Sequence, residues 1–223
     1  MNYTLIRSNR KTAALYIKNG IIEVRAPYRM PKYEIENFII KNEDWILPKL
    51  QKSQAQQAER DSFALNYGDL LNYRGKTCEI VPKNGNYIGY EDDKFYMPPD
   101  MTFDQIKEAS IQIYRMLAKN YLPKRTMELT QIIKLTPSAI KINGAKKRWG
   151  SCSSKKSINF SWRLMMASDE VIDYVIVHEL AHLAEMNHGF RFWAIVEKYM
   201  PNYNAHRASL AKLQSQLATE NWD

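Results

Sequence analysis

The sequence predicts an α+β fold, with a smaller β-rich domain over residues 1–100 and a second domain over 101–223 that sets a small sheet against helices. Three observations carry this expectation. Short runs rich in β-branched and aromatic residues, punctuated by Asn and Gly turn signals, form two blocks at 3–27 and 63–97. Longer stretches with apolar residues at helical spacing separate and follow those blocks. Pro98 and Pro99 stop the second β block immediately before a new helical pattern, so the boundary is expected near 98–101.

YTLIRS (3–8), ALYIK (14–18) and IIEVRAP (21–27) read as strands, and Asn19-Gly20 between the last two is a hairpin signal because both residues tolerate positive φ. From Pro31 the spacing of Ile35, Phe38, Ile39, Trp45, Ile46 and Leu50 predicts one helix reaching about Arg60. After the second β block, Thr102 is the expected N-cap of a long helix to about Lys134, with Pro123 as a kink or break. AIKIN (139–143) and SINFSWRL (157–164) return to β. In the latter, Ile158, Phe160, Trp162 and Leu164 alternate with Asn159, Ser161 and Arg163, the pattern of a strand buried on one face. Ser168, followed by Asp169 and Glu170, opens the next helix. Its body, VIDYVIVHELAHLAEM, is apolar almost all round and therefore expected inside a core. That helix is expected to continue through Glu185 and to turn at Asn187-Gly189. Two more helices are expected over 190–199 and 204–217.

With 45% hydrophobic and 25% charged residues the chain sits at the globular average, which excludes disordered, collagen-like and coiled-coil classes. Two cysteines, Cys78 and Cys152, are too few for a disulfide framework. The N-terminus lacks the apolar stretch of a signal peptide, and no run is long enough to span a membrane. A cytoplasmic protein with no membrane partner is the expectation. The net charge of +8 is unevenly placed: residues 111–160 hold eleven basic and one acidic side chain, just upstream of the histidines. All four histidines fall after residue 177.

Three of those histidines are spaced for a metal. His178-Glu179-Leu180-Ala181-His182 is an HExxH motif, and residues four apart on a helix leave the same face one above the other. Two imidazoles so placed suit a first-row metal ion, while Glu179 beside them reaches a metal-bound water without ligating the ion. Such a carboxylate can take the proton of that water and hand it on to a leaving amine. His188 follows the helix and precedes Gly189, where a turn brings it back as a third ligand and leaves a fourth position for water. A metzincin would carry Gly at position 185, where this chain has Glu185. A thermolysin-like arrangement would instead recruit a later glutamate, for which Glu197 is the alternative.

The run 148–203, with RWGSC, NF.WRL, DYVIVHELAHL, NHG..FW and MP.Y, resembles the YgjP-like zinc metallopeptidases, a family related to SprT-like and minimal gluzincin-type proteases. Ser168 stands where a proline is common, and Phe190 and Arg191 vary the link after His188. The resemblance implies a zincin-like catalytic domain, one catalytic Zn2+ on His178, His182 and His188, and Glu179 as general base. It implies a peptide or unfolded-protein substrate.

Arg148 and Trp149 are candidates for substrate contact or oxyanion stabilisation, or equally a solvated arginine beside a core tryptophan. Tyr203, His206 and Arg207 either reach over the cleft to the transition state or form solvated helix surface. Cys152 reads as a small buried hydrophobe. The basic stretch 141–156 is either a solvated loop or a site for acidic, nucleotide or nucleic-acid ligands. The competing functions are thus a metal-dependent nucleotide or phosphoester hydrolase, and a non-catalytic zinc-stabilised nucleic-acid-binding module. The module would have no use for the glutamate.

Overall fold

The structure, a computed structural model, describes residues 1–222 and divides them into two compact units. The first comprises residues 1–63 together with 217–221. Its strands β1 (Tyr3–Ser8), β2 (Ala14–Lys18) and β3 (Ile21–Pro27) form a sheet in the order β1-β3-β2. β2 and β3 pair antiparallel across Asn19 and Gly20, both at positive φ (49° and 72°), as the sequence predicts. β1 joins parallel to β3. The single helix expected after Pro31 is instead two, α1 (Lys32–Lys41) and α2 (Glu43–Ser62). The break falls at Asn42, whose backbone leaves helical geometry and whose side-chain amide donates to the Phe38 carbonyl at 2.7 Å. An asparagine that bonds its own backbone in this way competes with helix propagation. Ile22, Val24, Ala26, Ile35, Ile39 and Ile46 form this unit's core.

The second unit comprises residues 64–216 and Trp222. It opens with β4 (Leu70–Tyr73), β5 (Lys76–Pro82), β6 (Gly89–Glu91) and β7 (Lys94–Met97), ordered β4-β5-β7-β6. Then comes α3 (Phe103–Ile133), started by a capping box in which Thr102 and Gln105 satisfy each other's backbone N–H groups. α3 is a single helix that includes Pro123. Strands β8 (Ala139–Asn143), β9 (Gly150–Cys152) and β10 (Ser157–Ser161) form the third sheet, with β10 in the middle. A 3-10 turn (Trp162–Met166) leads into α4 (Asp169–Ala181), α5 (Phe190–Tyr199) and α6 (Tyr203–Leu217).

The units meet in the chain at 63/64 rather than at 100/101, because the β4–β7 sheet packs on the helices that follow it. Phe95 lies 5.2 Å from Tyr114 of α3, ring centre to ring centre, and the Tyr114 hydroxyl donates to the Asn72 carbonyl. Arg74 makes a two-point contact with Asp169 at the start of α4, at 2.6 and 2.8 Å, with its guanidinium 3.9 Å above the Tyr121 ring. Proline pairs mark chain breaks, but only packing decides which side of the break a sheet joins.

The alternation expected over 157–164 also ends early. Ile158 and Phe160 are buried as predicted, but β10 stops at Ser161 and Arg163 is buried rather than exposed. Arg163 is accommodated because it donates to the carbonyls of Gly144 and Trp222, both at 2.8 Å, while its guanidinium lies over the Trp162 ring. A buried cation is tolerable where carbonyl oxygens replace its water.

Candidate active site

The site is built on α4, whose buried face is formed by Val171, Ile172, Val175, Ile176 and Leu180. This apolar surround fixes the helix and removes its polar residues from water. His178 and His182 leave it one turn apart, with ring centres 5.0 Å apart. The helix ends at Ala181, four residues sooner than its periodicity predicts. The following turn tightens through Leu183 N–H to Leu180 O and Ala184 N–H to Ala181 O, at 3.0 and 3.1 Å. The freed Glu185 carbonyl lies 3.1 Å from Nδ1 of His182. A carbonyl only accepts, so Nδ1 carries the proton and Nε2 keeps its lone pair for a metal.

The early turn returns His188 to the other two. Its Nε2 lies 3.1 Å from Nε2 of His178, and ligand nitrogens of all three histidines fall within 4.8 Å of one another. An ion holding tetrahedral ligands at about 2.0–2.1 Å sets them roughly 3.3 Å apart, so the three imidazoles fit such an ion. Glu197 is exposed on α5 and stands outside this cluster. Burial, and then the neighbouring His182 and His188, push His178 down to about 3, which keeps it neutral. Burial also pushes His182 down. Neutral imidazole is the form that ligates.

Glu179 is 5% exposed, and burial pushes its carboxyl up to about 7, against a smaller opposing pull from Arg148. Its Oε2 and the Nδ1 of His178 are buried without a hydrogen-bond partner among the described residues. Unpartnered buried polar atoms are costly and mark places where a ligand belongs. The other side of the carboxylate presses on Gly150 of β9, where a Cβ would come within 2.6 Å of both Cγ and Oε1. Gly150 is therefore a site residue that composition and spacing did not reveal. Its signal was the glycine inside RWGSC, followed by two small residues. Phe192 is another. Fully buried on α5, its ring centre lies 4.8, 4.5 and 4.7 Å from those of His178, His182 and His188, and it forms the floor of the cluster.

The remaining candidates fall into two groups. Arg148 and Trp149 line a cleft together with Gly150, His178 and Glu179. Tyr203, His206 and Arg207 stand one ring away from the histidines. Tyr203 stacks on Trp193 at 5.1 Å, and Arg207 lies over the same indole at 5.1 Å. His206 stacks on Tyr174 at 6.0 Å. Trp193 and Tyr174 in turn lie 6.0 and 5.9 Å from His178. Cys152 is half-buried rather than buried, and burial followed by the nearby Glu179 pushes its thiol up, away from the thiolate a nucleophile needs. β10 is paired on both sides, so β8 and β9 are the edges of this sheet, and β9, which carries Gly150, is the one that meets Glu179 of α4.

Three converging imidazoles with a buried carboxylate on the adjacent residue define a metal-dependent hydrolase layout. The profile of the family described as YgjP-like, metallopeptidase domain, matches residues 11–213, and the chain belongs to that family. Among solved structures it is similar to the crystal structure of the metallopeptidase zymogen of Pyrococcus abyssi abylysin, with a TM-score of 0.38 and 21% identity, covering 45% of this chain and 97% of that one. It is likewise similar to the metallopeptidase zymogen of Methanocaldococcus jannaschii jannalysin, with a TM-score of 0.37 and 23% identity, covering 43% and 96%. Comparison with curated protein sequences finds no match. Among the described residues no helix is long and apolar enough to cross a membrane.

Proposed function

We propose that the protein is a zinc-dependent peptidase in which His178, His182 and His188 hold one Zn2+ and Glu179 is the general base. The observation that carries this reading is the convergence of three histidine nitrogens within 4.8 Å beside the buried, unpartnered Glu179 carboxylate. The ion, when bound, supplies Lewis acidity, which acidifies water and polarises the scissile carbonyl. Glu179 takes the proton from the attacking water as the new carbon–oxygen bond forms. The same carboxyl then delivers that proton to the amide nitrogen as the carbon–nitrogen bond breaks, so the amine leaves neutral. An acid–base group working near neutral pH performs both transfers best when its pKa lies near 7, and burial moves Glu179 in that direction.

The free edge of β9 is the surface on which an extended peptide adds as a further strand, with Gly150 keeping the carboxylate close behind it. Trp149 shapes the wall of the adjoining cleft, and Arg148 places a positive charge there for the developing oxyanion. Tyr203, His206 and Arg207 hold Trp193 and Tyr174 against the histidines, which makes them positioning residues.

The test is cleavage of an unfolded protein by the purified chain with one equivalent of zinc, alongside Glu179→Gln and a nucleoside triphosphate as competing substrate. Cleavage of the polypeptide by the wild type, lost in a Glu179→Gln protein that still binds zinc, is the expected result. Glu179-dependent hydrolysis of the triphosphate alone would overturn the peptidase reading in favour of a phosphoester hydrolase. Retained metal with neither activity would leave a zinc-stabilised module.

A further inference from the structure

Residues 144–149 join β8 to β9 without regular secondary structure, and they bring Arg148 and Trp149 to the cleft beside Glu179. No ladder or helix sets the shape of this segment, so its backbone groups take their partners from elsewhere. Two buried residues supply most of them. Ser161, at the end of β10, donates its hydroxyl to the Ala145 carbonyl at 2.7 Å and its N–H to the Trp149 carbonyl at 2.8 Å. Arg163 donates from Nη1 to the Gly144 carbonyl at 2.8 Å. From α6, the Gln214 amide adds a longer contact of 3.2 Å to the Lys146 carbonyl. Ser161 and Arg163 are 1% and 6% exposed, so water does not compete for their bonds.

The Arg163 guanidinium is itself held from its other side. Nη2 donates to the Trp222 carbonyl at 2.8 Å, and the guanidinium lies 4.4 Å from the centre of the Trp162 ring. The Trp222 ring is 5% exposed and packs 5.9 and 6.1 Å from the rings of Tyr114 and Trp162. A planar, charged fork anchored in this way has one orientation, and it transmits that orientation to the carbonyl it meets. We propose that Arg163 and Ser161 are positioning residues for peptide cleavage: they hold the backbone of residues 144–149 so that Arg148 and Trp149 stay at the cleft. The proposal rests on the peptidase reading above and adds to it the means by which those two side chains are aimed. A lysine at 163 keeps the charge but loses the fork, and an alanine at 161 loses only the bond to Ala145. Release of the segment acts on the transition state, where Arg148 meets the oxyanion, so the loss falls mainly on kcat.

The zinc-loaded full chain, Arg163→Lys and Ser161→Ala are compared on an unfolded protein substrate, each also in a chain carrying Arg148→Ala and Trp149→Ala. Arg163→Lys is expected to lower kcat/KM by about a hundredfold, as a displacement of about 1 Å can. Ser161→Ala, which removes one neutral hydrogen bond and keeps the fork, is expected to lower it about fivefold. With Arg148 and Trp149 already removed, each substitution is expected to change kcat/KM by less than about twofold, because the groups it aims are gone. A general loss of folding would lower activity by the same factor in both backgrounds. A second readout needs no turnover. Lys146 and Lys147 are exposed, and trypsin is expected to cut after them about tenfold faster in Arg163→Lys than in the wild type as the segment detaches. Glu179-dependent cleavage that is undiminished in both variants, or lost by equal factors in the two backgrounds, overturns the positioning role and leaves the peptidase reading in place. Absence of any Glu179-dependent cleavage by the wild type overturns both. Should Arg163→Lys fail to fold, Ser161→Ala decides the question by the same comparison.

Discussion

Glu179 sits in surroundings that oppose its charge, and this has a consequence for stability when no metal is present. Burial raises its folded-state pKa to about 7 from an ordinary value of 4.5. A group whose pKa is raised on folding contributes stability that is fully present below its unfolded value and is lost as pH rises through its folded value. In the chelated protein, Glu179→Gln is therefore expected to gain stability over the wild type between pH 5 and 8, by on the order of 2 kcal/mol at the upper end. Urea denaturation of both proteins at the two pH values measures the gap. A gap independent of pH would mean that the carboxyl is not buried as described. Gly150 makes a second expectation at this scale. A Cβ there would come within 2.6 Å of both Cγ and Oε1 of the buried Glu179 side chain on α4. Gly150→Ala is expected to reduce peptide cleavage about a hundredfold with zinc content unchanged, since a displacement of about 1 Å in a catalytic group can cost that much. Zinc analysis and kcat/KM on the same sample check it. His178 and His182 were legible as a ligand pair because helix geometry alone places side chains four apart on one face, and Glu179 was legible from its place between them in the HExxH motif. Gly150 was not legible as a neighbour of Glu179, because a strand and a helix meet only through tertiary packing.

Among the elements, α5 supports the site from below. Phe192 touches all three imidazoles, so its ring both fills core volume and fixes where the histidines converge. Phe192→Ala is expected to destabilise the protein by about 3–5 kcal/mol and to weaken zinc binding as the histidines lose their common floor. Thermal denaturation with and without zinc, together with a competition titration for the metal, separates the two effects. The early end of α4 at Ala181 shows why such boundaries escape a reading by periodicity. The apolar pattern runs on past the helix, but the His182 ring captures the Glu185 carbonyl and the chain tightens into a turn. The same holds for β10, where the alternation continues to Leu164 while the backbone has already entered a 3-10 turn. In both cases the side-chain pattern records burial, and burial is shared by several backbone geometries.

For the whole molecule, the α+β class follows from local patterns, whereas the division into units does not. The β4–β7 sheet belongs with α3 and α4 because of Tyr114, Phe95 and the Arg74–Asp169 pair, contacts between residues far apart in sequence. The charge asymmetry is legible in the sequence, and its basic stretch 141–156 lies mostly at the surface. Arg148, Trp149 and Gly150 belong to this stretch, and all three line the cleft beside Glu179. The central claim, a catalytic rather than a structural metal centre, is tested most directly by an anomalous difference map at the zinc edge from crystals of the zinc-loaded protein. The account predicts one peak at about 2.0–2.1 Å from a nitrogen of each of His178, His182 and His188, with the fourth position open to solvent beside Glu179. A peak away from these histidines, or a fourth protein side chain closing the coordination, would contradict it.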